Sequence, residues 1–203
     1  DFFEVWLGDD ILSNIAAEAA VALKTFSQSA PVYFICGNRD FLLGKRYAKQ
    51  AGITLLPEQQ VVQLYGQNYL ISHGDEMCTA DVSYQRFRRI IRCRLVQKLL
   101  LSLPQSRRQK VAAKLRAASK QKKQAMGHTP VSDVTEQGVQ AALTRYPQAA
   151  AMIHGHTHRP AVHEHLFNGH TVPRYVLPDW YGNSGGYLQV SPGEVVLLPL
   201  GID

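Results

Sequence analysis

Apolar positions in the first half of the chain follow two patterns, helical spacing and short continuous runs. Residues 11–27 have apolar side chains at helical spacing and predict a helix, and a second helix is expected to end at Gln50. Short apolar runs are typical of buried strands. Such runs occupy residues 32–36, 53–56, 61–65 and 69–72, the last two joined by a predicted turn at 66–68.

The second half begins with a long helical segment and ends in hairpins. Residues 84–125 predict helix with a break near Pro104, residues 135–146 a further helix, and residues 150–153 a strand. From Arg159 onward the pattern is β-rich, with turns predicted at 168–169, 182–183 and 192–193. Strands that alternate with helices and then give way to hairpins indicate an α/β or α+β sandwich with mixed sheets.

The positive charge is concentrated in that helical segment. Residues 81–125 hold 14 of the 22 Lys and Arg residues and one acid, a net +13, whereas the rest of the chain carries −7. This segregation suggests an anionic partner, namely phosphate, nucleic acid or an acidic membrane surface. An apolar face could accept acyl chains while flanking cations attract headgroups. The alternative is a solvated basic helix pair whose apolar face lies in the core.

Length, apolar runs and cysteine content favour a single domain without a membrane span or a disulfide framework. The 203 residues fit one domain spanning 1–203. No apolar run approaches the roughly 20 residues that a membrane span needs. The three cysteines are scattered without metal-finger spacing, which disfavours a disulfide framework and favours a reducing cytoplasm.

Polar residues beside glycine follow three of the predicted strands. The strings are Gly37-Asn38-Arg39-Asp40, Ser72-His73-Gly74-Asp75 and His154-Gly155-His156. Carboxylate, carboxamide and imidazole donors together suit a hard or borderline divalent ion such as Mn²⁺. Each string alone is compatible with a turn, a helix cap or a hydrogen-bonded structural histidine. All three in this order predict a metal site.

The order of these motifs resembles the calcineurin-like metallophosphoesterases. Arg39 in the third place of Gly-Asn-x-Asp, followed by Phe41-Leu42-Leu43-Gly44, is similar to one family within them, the UDP-2,3-diacylglucosamine pyrophosphohydrolases of lipid A biosynthesis. Residues 3–10, 154–160 and 179–180 fit the same family, so the resemblance spans nearly the whole chain. It implies a β-sandwich flanked by helices, with an inserted basic helical lid at residues 82–126.

The resemblance also implies a centre of two Mn²⁺ ions. Asp1 would bridge both ions with its two carboxylate oxygens. Asn38, His73 and His154 would ligate one ion, and His156 the other. A water held between the ions would then serve as the nucleophile.

The resemblance implies hydrolysis of UDP-2,3-diacylglucosamine at the α-phosphorus, releasing UMP and 2,3-diacylglucosamine 1-phosphate. Arg39 would stabilise the charge that develops on the phosphoryl oxygens. The catalytic residues would be Asp1, Arg39 and His154. The expected substrate contacts are Asn38, Arg39, Asp81, Ser119, Lys123 and His154. Which of lysines 120–123 take part stays open, because residues 124–132 are one residue longer here than in the family.

The family begins with a strand and an Asp-x-His motif that precede the position matched by Asp1. That strand, the motif and the first helix are not among these 203 residues. If the chain truly begins at Asp1, we expect the second metal to bind weakly and activity to be nearly lost.

Two other functions are left open by the residues. Another calcineurin-like phosphodiesterase or nucleotide pyrophosphatase would carry the same metal motifs. A basic module that binds nucleic acid or membrane would be non-enzymatic, with structural histidines. We favour the hydrolase, with a nucleotide-linked glycolipid as substrate, an anionic membrane surface and no nucleic acid as partners, and a cytoplasmic location peripheral to the inner membrane. The oligomeric state is not predicted.

Several polar residues outside the motifs receive structural interpretations. His163, His165 and His170 are interpreted as surface residues of a hairpin. Asp10 is interpreted as a charge or cap at the start of the first helix.

Overall fold

A computed structural model describes residues 1–126 and 132–201, and the chain divides into two units. Unit 1 comprises Asp1–Pro57 and Asp81–Pro130, and unit 2 comprises Glu58–Ala80 and Val131–Asp203. The α-helices of the described residues are α1 (Asn14–Phe26), α2 (Lys45–Ala51), α3 (Val82–Ile91), α4 (Arg94–Ser102), α5 (Gln105–Met126) and α6 (Glu136–Arg145). The strands are β1 (Val32–Phe34), β2 (Ile53–Leu55), β3 (Gln59–Leu64), β4 (Gln67–Ser72), β5 (Ala151–His154), β6 (Ala161–Phe167), β7 (His170–Val176), β8 (Ser184–Ser191) and β9 (Glu194–Gly201).

Unit 1 contains a two-stranded parallel sheet that shares a core with two helices. β1 and β2 pair with Val32 opposite Ile53, and their apolar side chains pack with residues of α1 and α2. α1 begins after Ser13, whose hydroxyl accepts a hydrogen bond from the Ala16 N–H. α2 ends at Ala51, and the residue that caps it, Gly52, has a left-handed φ of 67° that favours glycine. The helices and strands predicted for residues 11–56 are therefore confirmed, with ends that differ by at most three residues.

The first ten residues form a loop. Phe3 and Trp6 are buried and pack on Tyr47 of α2, with ring-centroid separations of 5.6 and 4.5 Å. The backbone N–H of Trp6 donates to the backbone carbonyl of Arg39 at 3.0 Å. Aromatic packing, and not a sheet ladder, therefore holds this segment beside the loop that follows β1.

The adjacent acids Asp9 and Asp10 have separate structural roles. Asp9 accepts hydrogen bonds from two backbone N–H groups at the start of α2, at 2.9 and 3.0 Å, and thus caps that helix from outside. Asp10 forms an ion pair with Arg108 of α5, and this hydrogen-bonded partner lowers the pKa of Asp10. The interpretation of Asp10 as a cap of α1 is wrong, because Ser13 occupies the cap position.

The basic segment forms three helices and not two. The break near Pro104 is confirmed at the boundary between α4 and α5. A second break, not predicted from the sequence, lies at Arg92 and Cys93. The Arg92 guanidinium donates to two carbonyls of the loop after β1, at 3.2 and 3.0 Å. This tertiary contact, invisible to helical periodicity, anchors the end of α3.

Helices α3 and α4 leave several large apolar side chains exposed. These residues lie among exposed arginines and a lysine, as an amphipathic basic surface requires. They are Val82, Ile90, Leu95, Leu99 and Leu101. None of the described helices combines the length and the apolarity that a membrane span requires.

Unit 2 is built on a five-stranded mixed sheet in the order β3-β4-β5-β7-β6. The three central strands are parallel, and the two edge strands are antiparallel to their neighbours. Met152 of β5 packs in the core that contains α6, whereas its neighbours Ala151 and Ile153 pack in the core that contains the β8–β9 hairpin. The sheet thus has α6 on one face and a second, two-stranded sheet on the other, which confirms the α/β fold with mixed sheets.

Glycine-containing turns connect the hairpins of unit 2. The turn predicted at 66–68 is instead Tyr65-Gly66, because Leu64 pairs with Gln67. Both turn residues have positive φ, 49° and 84°, as the two-residue turns that suit hairpins require. The turns predicted at 168–169, 182–183 and 192–193 are confirmed, each with a glycine at positive φ.

Candidate active site

All three polar motifs follow the carboxyl ends of strands, as the sequence predicts. Residues 37–40 follow β1 in unit 1, and residues 73–75 follow β4 in unit 2. His154 is the last residue of β5, and residues 155–158 follow it in the same unit. β4 and β5 are adjacent and parallel, with Ser72 opposite His154. Two of the three motifs therefore share one edge of the same sheet, where α/β folds place their ligands.

His73 and His156 form a close imidazole pair in unit 2. The His73 Nε2 and His156 Nδ1 atoms lie 3.1 Å apart, and the ring centroids are 4.9 Å apart. Burial, reinforced by the neighbouring His73, lowers the pKa of His156 to about 3. The His156 ring is therefore neutral at physiological pH, the protonation state that a metal ligand needs. The two nitrogen donors are close enough to share one ion.

His154 is buried and is held through both of its ring nitrogens. Its Nε2 lies 2.8 Å from an Nη of Arg174, and its Nδ1 lies 2.9 Å from the carbonyl oxygen of Gly155. Because arginine can only donate, Nε2 accepts, and the proton lies on Nδ1 and is donated to Gly155. Burial lowers the pKa of His154 to about 4. Both ring nitrogens thus have protein partners, so ligation by His154 stays a prediction that requires one of these two contacts to break.

A chain of hydrogen bonds extends from His154 towards α6. Arg174 of β7 donates through Nε to the His165 Nε2 at 3.0 Å. The His165 Nδ1 lies 2.7 Å from a carboxylate oxygen of Glu136, and Glu136 accepts a further bond from Gln140. Gln140 and then His165 hold the pKa of Glu136 below its usual value. One buried guanidinium thus fixes the orientation and the tautomer of two histidines.

The prediction that three hairpin histidines lie at the surface is wrong for one of them. The side chain of His165 is only 9% exposed, because β6 places it beside Arg174 and α6. His163 and His170 are exposed, as predicted.

Arg174 was missed by the sequence reasoning, although the sequence carries a signal for it. Val172 and Val176 are buried on the same face of β7, and Arg174 lies between them at strand spacing. Arg174 is only 5% exposed, and this burial lowers the pKa of its guanidinium. Buried charges are kept only where partners satisfy them, so this position points to a polar network.

Asp40 is the corresponding buried group in unit 1. Its side chain is fully buried, and Oδ1 accepts a hydrogen bond from the Gly37 N–H at 2.6 Å. Oδ2 accepts from the N–H groups of Phe2 and Phe3 at 2.8 and 3.3 Å. The last residue of the Gly-Asn-Arg-Asp string is therefore the structural centre of the loop that contains Asn38.

Three predicted site residues lie together at that loop. The Arg39 N–H donates to Asp1 Oδ1 at 2.8 Å, and the Arg39 Nε lies 3.8 Å from Asp1 Oδ2. Asn38 is half-buried between Gly37 and Arg39. The Arg39 guanidinium, 42% exposed, also pairs with Glu4, which in turn pairs with Arg116 of α5 at 2.5 Å.

The remaining predicted substrate contacts lie on the basic helices of unit 1. The Asp81 carboxylate caps α3 by accepting hydrogen bonds from Tyr84 N–H and the Ser83 hydroxyl, at 2.9 and 2.8 Å. Ser119 lies on α5 and is exposed. The side chain of Lys123 lies outside the described residues, as do those of Lys120 and Lys122.

Each unit contains donor types that suit a divalent ion. Unit 1 offers a carboxylate and a carboxamide at one loop, and unit 2 offers the imidazole pair. Oxygen and imidazole donors without thiolate suit Mn²⁺, Mg²⁺ or Zn²⁺. The thiol of Cys36, beside this loop, has its pKa raised to about 12 by burial, and is therefore neither a ready ligand nor a nucleophile.

Comparison with known proteins agrees with this donor set. Residues 3–160 match the family described as calcineurin-like phosphoesterase. The chain is 47% identical over 199 residues to a protein of Serratia proteamaculans, covering 98% of this chain and 82% of that protein. It is 47% identical over 203 residues to one of Shewanella loihica, covering 99% and 81%, and 45% identical over 199 residues to one of Salmonella arizonae, covering 98% and 82%. All three relatives are named UDP-2,3-diacylglucosamine hydrolase. The chain therefore belongs to the calcineurin-like phosphoesterases and is a metal-dependent hydrolase.

Proposed function

We propose that this protein hydrolyses the pyrophosphate bond of UDP-2,3-diacylglucosamine and releases UMP and 2,3-diacylglucosamine 1-phosphate in lipid A biosynthesis. The observation that carries the proposal is the 45–47% identity, over at least 98% of the chain, to relatives named for this substrate. The amphipathic basic surface of α3 and α4 supports it, since a lipid-linked nucleotide has both apolar chains and phosphates.

The proposed cofactor is a pair of Mn²⁺ ions. Asp1, Asn38, His73, His154 and His156 would hold them. When bound, such a pair supplies a hydroxide at neutral pH and neutralises charge on the phosphoryl oxygens. The low pKa of His156 supports this role, because the imidazole does not have to lose a proton to bind.

Arg39 is the proposed stabiliser of the phosphoryl group that is attacked. A planar guanidinium can donate two parallel hydrogen bonds to phosphate oxygens. Its present partners, Asp1 and Glu4, keep it beside the loop of Asn38 and leave 42% of the side chain exposed. We propose that phosphate replaces Glu4 as its partner when substrate binds.

The basic helices are the proposed binding surface for the rest of the substrate and for the membrane. Asp81, Ser119 and Lys123 would contact the sugar-phosphate. Asp81 directly precedes, and the other two lie within, a lid formed by residues 82–126 of a single domain. The exposed apolar side chains of α3 and α4, flanked by arginines, would bind acyl chains and an anionic membrane surface. The protein would then act at the cytoplasmic side of the inner membrane as a peripheral protein.

The activity is tested by measuring UMP release from UDP-2,3-diacylglucosamine, with bis(p-nitrophenyl) phosphate as a generic diester. We expect the lipid nucleotide to be strongly preferred, chelation to abolish turnover, and Mn²⁺ to restore it. His73→Ala and His156→Ala should lower both the metal content and the activity, whereas His170→Ala, an exposed histidine of the same unit, should change neither. A preference for the generic diester or for free nucleotides would instead identify another calcineurin-like phosphodiesterase.

Membrane association has its own test. Co-sedimentation with vesicles that contain anionic lipid should be weakened by the double variant Leu95→Asp and Leu99→Asp, whose side chains are 70% and 68% exposed. Ile15→Asp, on α1 and 73% exposed, is the matched control. Equal sedimentation of both variants would exclude this surface as the membrane contact.

A further inference from the structure

Trp180 is a large aromatic side chain that is exposed yet fixed in orientation. The side chain is 62% exposed on the connection between β7 and β8. Its indole N–H donates to the carbonyl of Gly186 at 2.8 Å, so the polar edge of the ring is already satisfied. The indole N–H therefore needs neither water nor any further acceptor, and what the ring offers to solvent is mainly apolar surface.

Gly185 lets the indole lie flat against the β8 backbone. A Cβ at this glycine would stand 2.9 to 3.1 Å from three atoms of the five-membered ring, Cγ, Cδ2 and Cδ1. No real side chain fits at that distance, so the covered side of the ring requires glycine. One side of the ring is thus packed on the strand, and the exposed fraction belongs to the other side.

This connection is tied to the histidine loop that closes β5. Asp179, the residue before Trp180, has a carboxylate oxygen 3.2 Å from the Nδ1 of His158. His158 is the last histidine of the run that contains His154 and His156, and it has a positive φ of 56°. The indole is therefore held one residue away from a contact with the loop that carries the candidate metal ligands.

A flat, immobilised aromatic surface beside the loop that carries the candidate metal ligands suits a nucleobase. Bases stack on aromatic side chains through their π-faces and need no hydrogen bond to the ring. We propose that Trp180 is the stacking platform for the uracil base of a uridine nucleotide whose phosphates lie at the histidine loop. The inference rests on the proposed function, because that substrate supplies the uridine.

The decisive measurement is inhibition by UMP in the variants Trp180→Leu and Trp180→Phe. Loss of one stacked base is expected to weaken binding roughly 5- to 150-fold. The inhibition constant of UMP, measured against bis(p-nitrophenyl) phosphate, should rise by that factor in Trp180→Leu and much less in Trp180→Phe, which keeps an aromatic face. The effect on hydrolysis of the base-free diester should be at least tenfold smaller than the effect on UMP.

Two controls separate base stacking from a general effect of removing an exposed aromatic residue and from binding through the phosphate alone. Tyr65→Asn, at an exposed aromatic residue on a different hairpin turn, should leave the UMP inhibition constant unchanged. Ribose 5-phosphate should inhibit wild type and Trp180→Leu equally, because it has no base. An unchanged UMP inhibition constant in Trp180→Leu, or equal losses with UMP and with the base-free diester, would overturn the platform.

The failure of this inference can be distinguished from failure of the proposed function. If wild type does not hydrolyse UDP-2,3-diacylglucosamine, the proposed function fails, but UMP inhibition of diester hydrolysis still tests Trp180. If wild type hydrolyses the lipid nucleotide and Trp180→Leu keeps the wild-type KM for it, the function stands and the stacking platform is excluded.

Discussion

The loop after β1 and the loop that closes β5 are each organised by one buried charge, but the two charges have opposite sign. In unit 1 the fully buried Asp40 accepts hydrogen bonds from three backbone N–H groups. In unit 2 the buried Arg174 donates to the rings of two histidines, His154 and His165. One charge therefore fixes the backbone, and the other fixes side chains.

This difference predicts different consequences when each charge is removed. A backbone held by Asp40 positions Asn38 and Arg39 only indirectly, so loss of Asp40 should first reduce stability. The rings held by Arg174 include His154, a candidate catalytic residue, so loss of Arg174 should first reduce turnover.

Asp40→Ala should have the largest effect on stability. It leaves the buried N–H groups of Gly37 and Phe3, and the part-buried N–H group of Phe2, without an acceptor, and each unsatisfied buried donor costs about 1–3 kcal/mol. We expect the free energy of unfolding, measured in urea, to fall by roughly 3 kcal/mol or more. Asp40→Asn keeps one oxygen acceptor and should lose clearly less. Equal losses in both variants would show that the hydrogen bonds are not what matters.

Arg174→Met should reduce turnover more than stability. Methionine fills similar volume but donates nothing, so the rings of His154 and His165 lose their common donor. Partners of this kind typically affect activity by 10- to 100-fold, and we expect kcat to fall within that range with KM little changed. Arg174→Lys keeps the charge and one donor and should recover part of kcat. A larger loss of kcat in Asp40→Asn than in Arg174→Met would reverse the comparison.

The Arg174 variants also have a readout that does not depend on turnover. With Arg174 present, the proton of His154 lies on Nδ1, as its bond to Gly155 requires. Ring ¹⁵N shifts of metal-free protein should therefore show an Nδ1–H tautomer in wild type and a mixture of tautomers in Arg174→Met. An unchanged tautomer in the variant would mean that Gly155 alone determines it.

Gly74→Ala separates backbone strain from contact with His154. Gly74 and Gly169 both have positive φ, 109° and 78°, so alanine at either position should cost about 1–2 kcal/mol of stability. Only at Gly74 would the new Cβ lie 2.6 Å from the His154 Nδ1, whereas nothing lies within 4 Å at Gly169. We expect both variants to lose stability, and only Gly74→Ala to lose kcat. Equal kcat in the two variants would show that the position of His154 tolerates displacement.

The sequence predicts the loops but not the charges that hold them. The strands that lead to Asn38, His73 and His154 can be predicted from the sequence as apolar runs. A strand buried on both faces is apolar at nearly every position, so its sequence alone identifies it. The contacts of Asp40 reach back 37 and 38 residues, and those of Arg174 join three different elements. Such contacts depend on tertiary structure, which hydrophobic periodicity does not encode.

The same limit explains the individual errors. Ser13, and not Asp10, caps α1, because Asp10 is paired with Arg108, which lies 98 residues away in the sequence. His165 is not a surface residue, because β6 lies beside β7 and brings it to Arg174. In each case the residue type was compatible with a local role, and a partner distant in the sequence determined the actual one.

The pair formed by Asp10 and Arg108 provides the smallest and most selective test, because here the acid is 52% exposed and the cation is buried. The hydrogen bond from Arg108 lowers the pKa of Asp10 in the folded protein below its ordinary value of 3.8. A depressed carboxyl pKa contributes stability above the unfolded pKa, and that contribution is lost as the pH falls through the folded pKa. Solvent screening limits it to about 0.5–1 kcal/mol.

Wild type should therefore exceed Asp10→Asn in free energy of unfolding by that amount at pH 6, and the difference should shrink as the pH falls below about 4. Denaturant unfolding of both proteins across this range measures it. A difference between wild type and Asp10→Asn that stays constant or grows down to pH 3 would mean that the Asp10 charge contributes nothing, and that Arg108 is held by its bond to the Leu7 carbonyl instead.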